Sequence, residues 1–179
     1  VYGDDPAGGS TLAVVSALAW LVEERVRVAS VSLVGRDNPL LRRAVEAARS
    51  RGVVIAAAVG NDGPAAPPAF PASYPGVMAV TGVDARNRVL IEAGRAAHLD
   101  YAAPAADMVA AGADGRLAEV RGTSYAVPLV AARIAHALQS GAAEGWMARL
   151  DAEAVDLGRR GPDGTFGRGL LCASCRRTR

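Results

Sequence analysis

Two short stretches carry side chains suited to chemistry. In RGTSYAVP (residues 121–128), Ser124 follows a Gly-Thr turn and runs into an apolar helix. In VGNDGP (residues 59–64), the Asn61 amide stands at the end of an apolar run. A serine hydroxyl becomes a nucleophile when a neighbouring base takes its proton. At a helix N-terminus the backbone N–H groups lack partners and the dipole favours negative charge. An oxyanion forming beside Ser124 could use such an N–H, with Asn61 as a second donor. Donors of this kind each stabilise a transition state by roughly 3 to 4 kcal/mol. Gly122 permits the tight turn before the serine. Pro128 is placed in the first helical turn, where a missing N–H matters little. On residue types alone, Ser124 also reads as a helix cap and Asn61 as a turn residue in Asn-Asp-Gly.

The surrounding elements are those of a parallel sheet. Ser10 to Val26 reads as a helix capped by Ser10, with Leu12, Val15, Leu18, Ala19 and Val22 on one face. Residues 28–33 (VASVSL) form a short strand. Asn38 and Pro39 open a second helix, which Gly52 ends. Residues 53–59 (VVIAAAV) and 77–83 (VMAVTGV) are continuous apolar strands, separated by a Gly/Pro-rich loop. Strands buried on both faces and alternating with helices predict an α/β fold, a parallel sheet flanked by helices on both faces. Shorter strands and loops follow to residue 121. The helix from Thr123 is apolar nearly all round, so it should be buried. Residues 142–171 read as a short helix and an irregular closing stretch. Asn61 and the segment after VASVSL then fall at strand C-terminal ends, where function collects in such sheets.

Composition narrows the function class. The 179 residues suit one domain with a sizeable core. Hydrophobic residues make up 51%, and no apolar run reaches the roughly 18 residues of a membrane span. The 20 basic residues are all arginine, set against 18 acidic ones. Their scatter along helices gives no nucleic-acid face. Arg176, Arg177 and Arg179 cluster at the end, and residues 172–179 read as a basic, disordered tail. Cys172 and Cys175 lack the context of a zinc or redox site and read as without function, a local disulfide being the next alternative. The chain begins at Val1, not methionine, so a targeting signal upstream is left open.

GTSYAVPLVAA resembles the nucleophile motif of the subtilisin-like serine proteases, G-T-S-x-A-x-P-x-V-A. VVIAAAVGNDGP resembles their strand and loop bearing the oxyanion asparagine, and VASVSLVG resembles the strand whose end lines the substrate channel. FPASYPGVMAVTGVD, LDYAAPAADM and DLGRRGPDGTFGRGLL resemble three further segments, all in family order. The resemblance implies a subtilisin-like catalytic domain over residues 1–171, lacking its N-terminal part. It makes Ser124 the nucleophile and Asn61 the side-chain oxyanion donor, aided by the Ser124 N–H. Ser32, Leu33 and Val34 would form one wall of the substrate cleft. Val59 and Gly60 would form the other, and Thr123 would support the nucleophile. The implied partner is a peptide or protein substrate, the implied location secreted or periplasmic.

The family's aspartate in D-T/S-G and histidine in H-G-T would precede these segments, and neither motif occurs in the sequence. Asp4 and Asp5 read as loop acids. His136 lies twelve residues beyond Ser124 on one helix, roughly 18 Å along its axis. A base must act within about 3 Å or through one water. His98, Asp100 and Asp107 read as structural or surface residues. Negligible peptidase activity is therefore expected of this chain alone. The alternatives are a catalytically dead module that binds peptides, and a nucleotide-binding domain, although no G-x-G-x-x-G or P-loop follows a strand. No cofactor or metal is expected, since no carboxylates cluster. Missing strands would leave a sheet edge open to association.

Overall fold

The computed structural model describes residues 9–96, 98–139 and 145–176. Asp4, Asp5, Arg177 and Arg179 lie outside the described residues. Helix α1 (Thr11–Glu23) is capped by the Ser10 hydroxyl, which accepts from the Ala13 N–H at 3.3 Å. It ends three residues earlier than its apolar pattern predicts, because Arg25 turns into the left-handed region (φ 54°). Strand β1 (Val28–Val31) leads to α2 (Pro39–Ser50). Asn38 Oδ1 accepts from Leu40 N–H and Leu41 N–H at 2.9 and 3.3 Å, and Pro39 fills the first helical position. Strands β2 (Val54–Ala58), β3 (Met78–Val83) and β4 (Tyr101–Pro104) follow. A hairpin, β5 (Met108–Ala111) with β6 (Leu117–Val120), precedes α3 (Thr123–Gln139) and α4 (Trp146–Glu153).

The sheet runs β1-β2-β3-β4, all parallel. Side chains alternate between its two buried faces with the period of two that a strand imposes. Ala56, Ala58, Val80 and Tyr101 meet α3 through Ala126, Val127, Val130 and Ile134. Ile55, Ala57, Val59 and Ala79 meet α1 and α2 through Leu18, Val45 and Ala48. The alanines along β2 let α3 approach the sheet closely and so carry its first turn up to the strand ends.

The two sheet edges differ. The closing segment pairs with β4: Ala102 N–H donates to Gly169 O (3.0 Å) and Leu171 N–H to Ala102 O (2.9 Å). Among the described residues, β1 pairs with β2 alone. On α1 nearby in sequence, Leu12 and Trp20 are 63% and 57% exposed.

Of the tail expected at residues 172–179, the described residues 172–176 carry contacts of their own. Cys172 and Cys175 form a disulfide around the short 3-10 turn Ala173–Cys175. Arg176 then donates to Asp84 O at 2.6 Å. The crosslink closes this turn on itself, and the Arg176 bond holds it on the main chain after β3. The local disulfide, the second alternative in the sequence, is the state observed.

Asp100 links β3 and β4: its Oδ2 accepts from Ala79 N–H at 2.8 Å, and its N–H donates to Ala79 O at 3.0 Å. Burial pushes its carboxyl above the ordinary value, against the pull of the Ala79 N–H. Between the unfolded value, about 3.9, and the raised folded value, the native state holds a proton that the unfolded chain has released. Stability therefore falls as pH rises through that window. Asp100→Asn, which keeps an acceptor for Ala79, is expected to melt higher than the parent at neutral pH. The difference should vanish below about pH 4, and thermal melts at both pH values check it.

Candidate active site

The turn bearing Ser124 is hooked to the sheet by Gly122, whose N–H donates to Ala105 O (2.9 Å) just beyond β4. Gly122 has φ 132°, a region that favours glycine, and a Cβ there would lie 3.4 Å from Asn61 Nδ2. Thr123 opens α3 and is fully buried. Its N–H donates to Asn61 Oδ1 at 2.9 Å. Its hydroxyl lies 3.2 Å from Asn61 Oδ1 and 3.3 Å from Gly60 O, and it can donate to one of them at a time.

These bonds decide which way the Asn61 amide faces. A backbone N–H can only donate, so the amide presents its oxygen to Thr123 and keeps Nδ2 as a donor for something else. Asn61 is exposed at the end of β2. Within the first turn of α3, Thr123 N–H goes to Asn61, and Tyr125 N–H goes to Gly122 O at 3.1 Å. That leaves the Ser124 N–H without an acceptor among the described residues. Two donors, Asn61 Nδ2 and Ser124 N–H, thus stand unused on groups that Thr123 ties together. Such a pair can take up negative charge developing on an oxygen beside Ser124.

Pro128 is not in the first turn as expected; it is the sixth residue of α3, inside the helix. A proline there removes the bond that would run to the carbonyl four residues back, which is Ser124 O. Ser32 takes that place: its Oγ donates to Ser124 O at 3.0 Å. Ser32 therefore bridges the segment after β1 to the serine turn, a contact beyond the cleft-wall role that the resemblance implies for it.

The other wall residues divide by exposure. Leu33 is half-buried and Val34 exposed. A Cβ on Gly60 would lie 3.6 Å from Val34 Cγ1, so residues expected on the two walls are neighbours. The Val59 side chain is buried against the α1 and α2 layer, which leaves only its main chain for the cleft. Thr123, fully buried, acts through Asn61 and Gly60 and offers no surface to a substrate. Leu33 and Val34 also border a cavity of about 390 Å³, lined further by Val14, Leu41 and Phe70. A larger hollow of about 890 Å³ lies at the opposite, N-terminal ends of the strands, by Gly52, Val54 and Met78, and takes no part in this site.

Neither histidine is brought to Ser124. Helix α3 is continuous from Thr123 to Gln139, which keeps His136 roughly 18 Å along the axis. His98 precedes the N-terminal end of β4, whereas Gly122 is hooked beyond its C-terminal end. That separation is on the order of 20 Å of strand. His98 Nε2 is buried without a hydrogen-bond partner among the described residues. Asp107 Oδ2 caps the turn after β3, accepting from Ala85 N–H at 2.9 Å.

Two features at the site were not singled out in the sequence. Glu92 and Arg121 form an ion pair, Arg121 Nε to Glu92 Oε1 at 2.7 Å and Arg121 Nη2 to Oε2 at 2.8 Å. The arginine holds the Glu92 carboxyl below the usual carboxylate range, burial opposing it. The signal available was Arg121 directly before Gly-Thr-Ser; its partner 29 residues upstream left none. Gly94 is the second unforeseen feature. A Cβ there would lie 2.2 Å from Val59 O, at the root of the Asn61 loop. Gly94→Ala is expected to destabilise the fold by about 1–3 kcal/mol, because main chain cannot move aside cheaply. Urea unfolding with an unchanged m-value would confirm it.

Comparison with known proteins bears on the family and the fold. The subtilase family model matches residues 1–169. The minor extracellular protease Epr of Bacillus subtilis is 30% identical over 172 residues, covering 94% of this chain and 27% of that protein. Subtilisin Savinase of Lederbergia lenta is 36% identical over 125 residues, covering 69% of this chain and 46% of that protein. The chain thus spans between about a quarter and a half of the length of these curated relatives. Among solved structures, the S41 psychrophilic protease superposes with a TM-score of 0.84 at 23% identity, covering 96% of this chain and 66% of that one. The prenylagaramide maturation protease PagA gives 0.81 at 24% identity, covering 97% and 69%. At these identities the structural likeness establishes the fold, and the family match over nearly the whole sequence establishes the lineage: the chain belongs to the subtilase family of serine proteases.

Proposed function

We propose that this chain is the C-terminal portion of a peptide-hydrolysing catalytic domain, with Ser124 as nucleophile and Asn61 Nδ2 and Ser124 N–H as oxyanion donors. The observation that carries the reading is the Asn61 amide, whose oxygen is engaged by Thr123, the residue before Ser124, and whose N–H₂ has no partner among the described residues. In the reaction, Ser124 Oγ bonds to the scissile carbonyl carbon and its proton passes to a histidine. The carbonyl oxygen gains the negative charge and is held by the two donors. Collapse breaks the C–N bond, and the leaving amine takes the proton. Water then releases the acyl group by the same path. The cavity beside Leu33 and Val34 is lined by polar as well as apolar residues, Arg36, Asp37 and Asn38 among them, and would take a substrate side chain of mixed character.

The histidine and its aspartate are not supplied by the groups near Ser124 and would come from polypeptide outside these residues. Such polypeptide would meet the unpaired edge of β1, the natural surface for association. Secretion fits the Cys172–Cys175 disulfide, since such bonds persist in oxidising compartments, and relatives such as Epr carry the description extracellular. The test is hydrolysis of a fluorogenic peptide by this chain and by the longest natural polypeptide containing it. Ser124-dependent turnover is expected only in the latter. Turnover by the chain alone would refute the missing-base reading. No turnover in either, with saturable peptide binding in the cleft, would instead favour the non-catalytic peptide-binding module.

A further inference from the structure

We propose that Glu92 and Arg121 act as a positioning clamp that sets the spacing between the oxyanion donor and the nucleophile; this rests on the reading of Asn61 and Ser124 given above. The main chain of Glu92–Gly94 holds the Asn61 loop on both sides of the asparagine. Gly94 N–H donates to Gly60 O at 3.0 Å, and Gly63 N–H donates to Glu92 O at 2.8 Å. The Glu92 side chain reaches the other way and takes the Arg121 guanidinium in a two-point fork. Arg121 directly precedes Gly122. The contacts close a ring: Glu92 to Gly63, through Asn61 to Thr123, back through Gly122 to Arg121, and so to Glu92.

Like Gly63, Gly122 is a pliable member of that ring, with no Cβ and φ 132°. The fork removes its freedom to swivel the serine turn against the asparagine. The pair is partly exposed, with the side chains of Arg121 and Glu92 at 50% and 27%. Pairs of that kind contribute little to folding and are screened by salt. Reaction geometry is more sensitive: a misplacement of about 1 Å can change a rate about 100-fold. The clamp should therefore register in turnover and in local order, and hardly in global stability.

The test uses Glu92→Gln, Arg121→Gln and the charge-swapped double variant Glu92→Arg with Arg121→Glu. In this chain, NMR amide exchange at Thr123 and Gly63 should accelerate severalfold in both single variants, with the unfolding midpoint unchanged. In the natural polypeptide showing Ser124-dependent hydrolysis, kcat should fall about 10-fold with KM held within about twofold. The swapped variant should recover most of that loss. Unaltered exchange at both amides overturns the clamp whatever the activity does. Faster exchange with unchanged kcat, or a loss confined to KM, overturns its positioning role. If no natural form shows Ser124-dependent hydrolysis, it is the proposed function that fails, and the exchange measurement still decides whether the clamp exists.

Discussion

Ser124→Ala is expected to abolish hydrolysis in any natural polypeptide that supplies the histidine and aspartate, lowering kcat by about 2 × 10⁶. That size is known for loss of the nucleophile in subtilisin and is carried over here with the family. The same substitution in this chain alone should change nothing measurable. The two halves of the result follow from one geometric fact. Helix α3 is unbroken, so His136 stays roughly 18 Å from Ser124 along the axis, and His98 lies at the far end of β4. A hydroxyl without a base within about 3 Å is not ionised at neutral pH and is a poor nucleophile. Steady-state kinetics on the four proteins, short and long, each with and without the substitution, checks both halves. A Ser124-dependent rate in the short chain would mean that another residue takes the proton.

Asn61→Ala is expected to lower kcat by about 10²–10³ with little change in KM, the range measured for side-chain oxyanion donors, subtilisin's among them. The separation of kcat from KM is the diagnostic part. An N–H aimed at the oxyanion is used when the carbonyl carbon becomes tetrahedral, so its loss raises the barrier and leaves ground-state binding alone. Asn61 has a second task that must be separated from the first. Its oxygen satisfies the Thr123 N–H, so alanine also removes an acceptor from a fully buried residue. Asn61→Asp resolves the two. It keeps an oxygen for Thr123 and replaces the free N–H₂ with another acceptor. Full stability with the same kcat loss would assign the effect to the donor. A variant as active as the parent would remove Asn61 from the oxyanion site.

Much of the architecture was legible in the residues. Ser10 and Asn38 cap α1 and α2 as their types require, because capping is decided within three residues of chain. The runs ending at Val59 and Val83 became buried parallel strands, since continuous apolar sequence of that length can only sit between two layers. Pro128 was misplaced although the helix start at Thr123 was read correctly: counted from Thr123 the proline is sixth, past a first turn of about 3.6 residues.

The sequence by itself determined the family and the order of the elements, and it singled out Ser124 and Asn61 as candidates, all through contiguous motifs. Only the tertiary structure decided how those residues are held. Thr123 turns the Asn61 amide across 62 residues of sequence. Ser32 fills the carbonyl that Pro128 leaves open across 92 residues. Glu92 joins the asparagine loop to the serine turn. Arg176 is bonded to the main chain just after β3, across 92 residues. Each of these contacts exists because four parallel strands fix the distance between loops at their ends. That distance follows from strand register and helix packing, which no single stretch of the chain specifies.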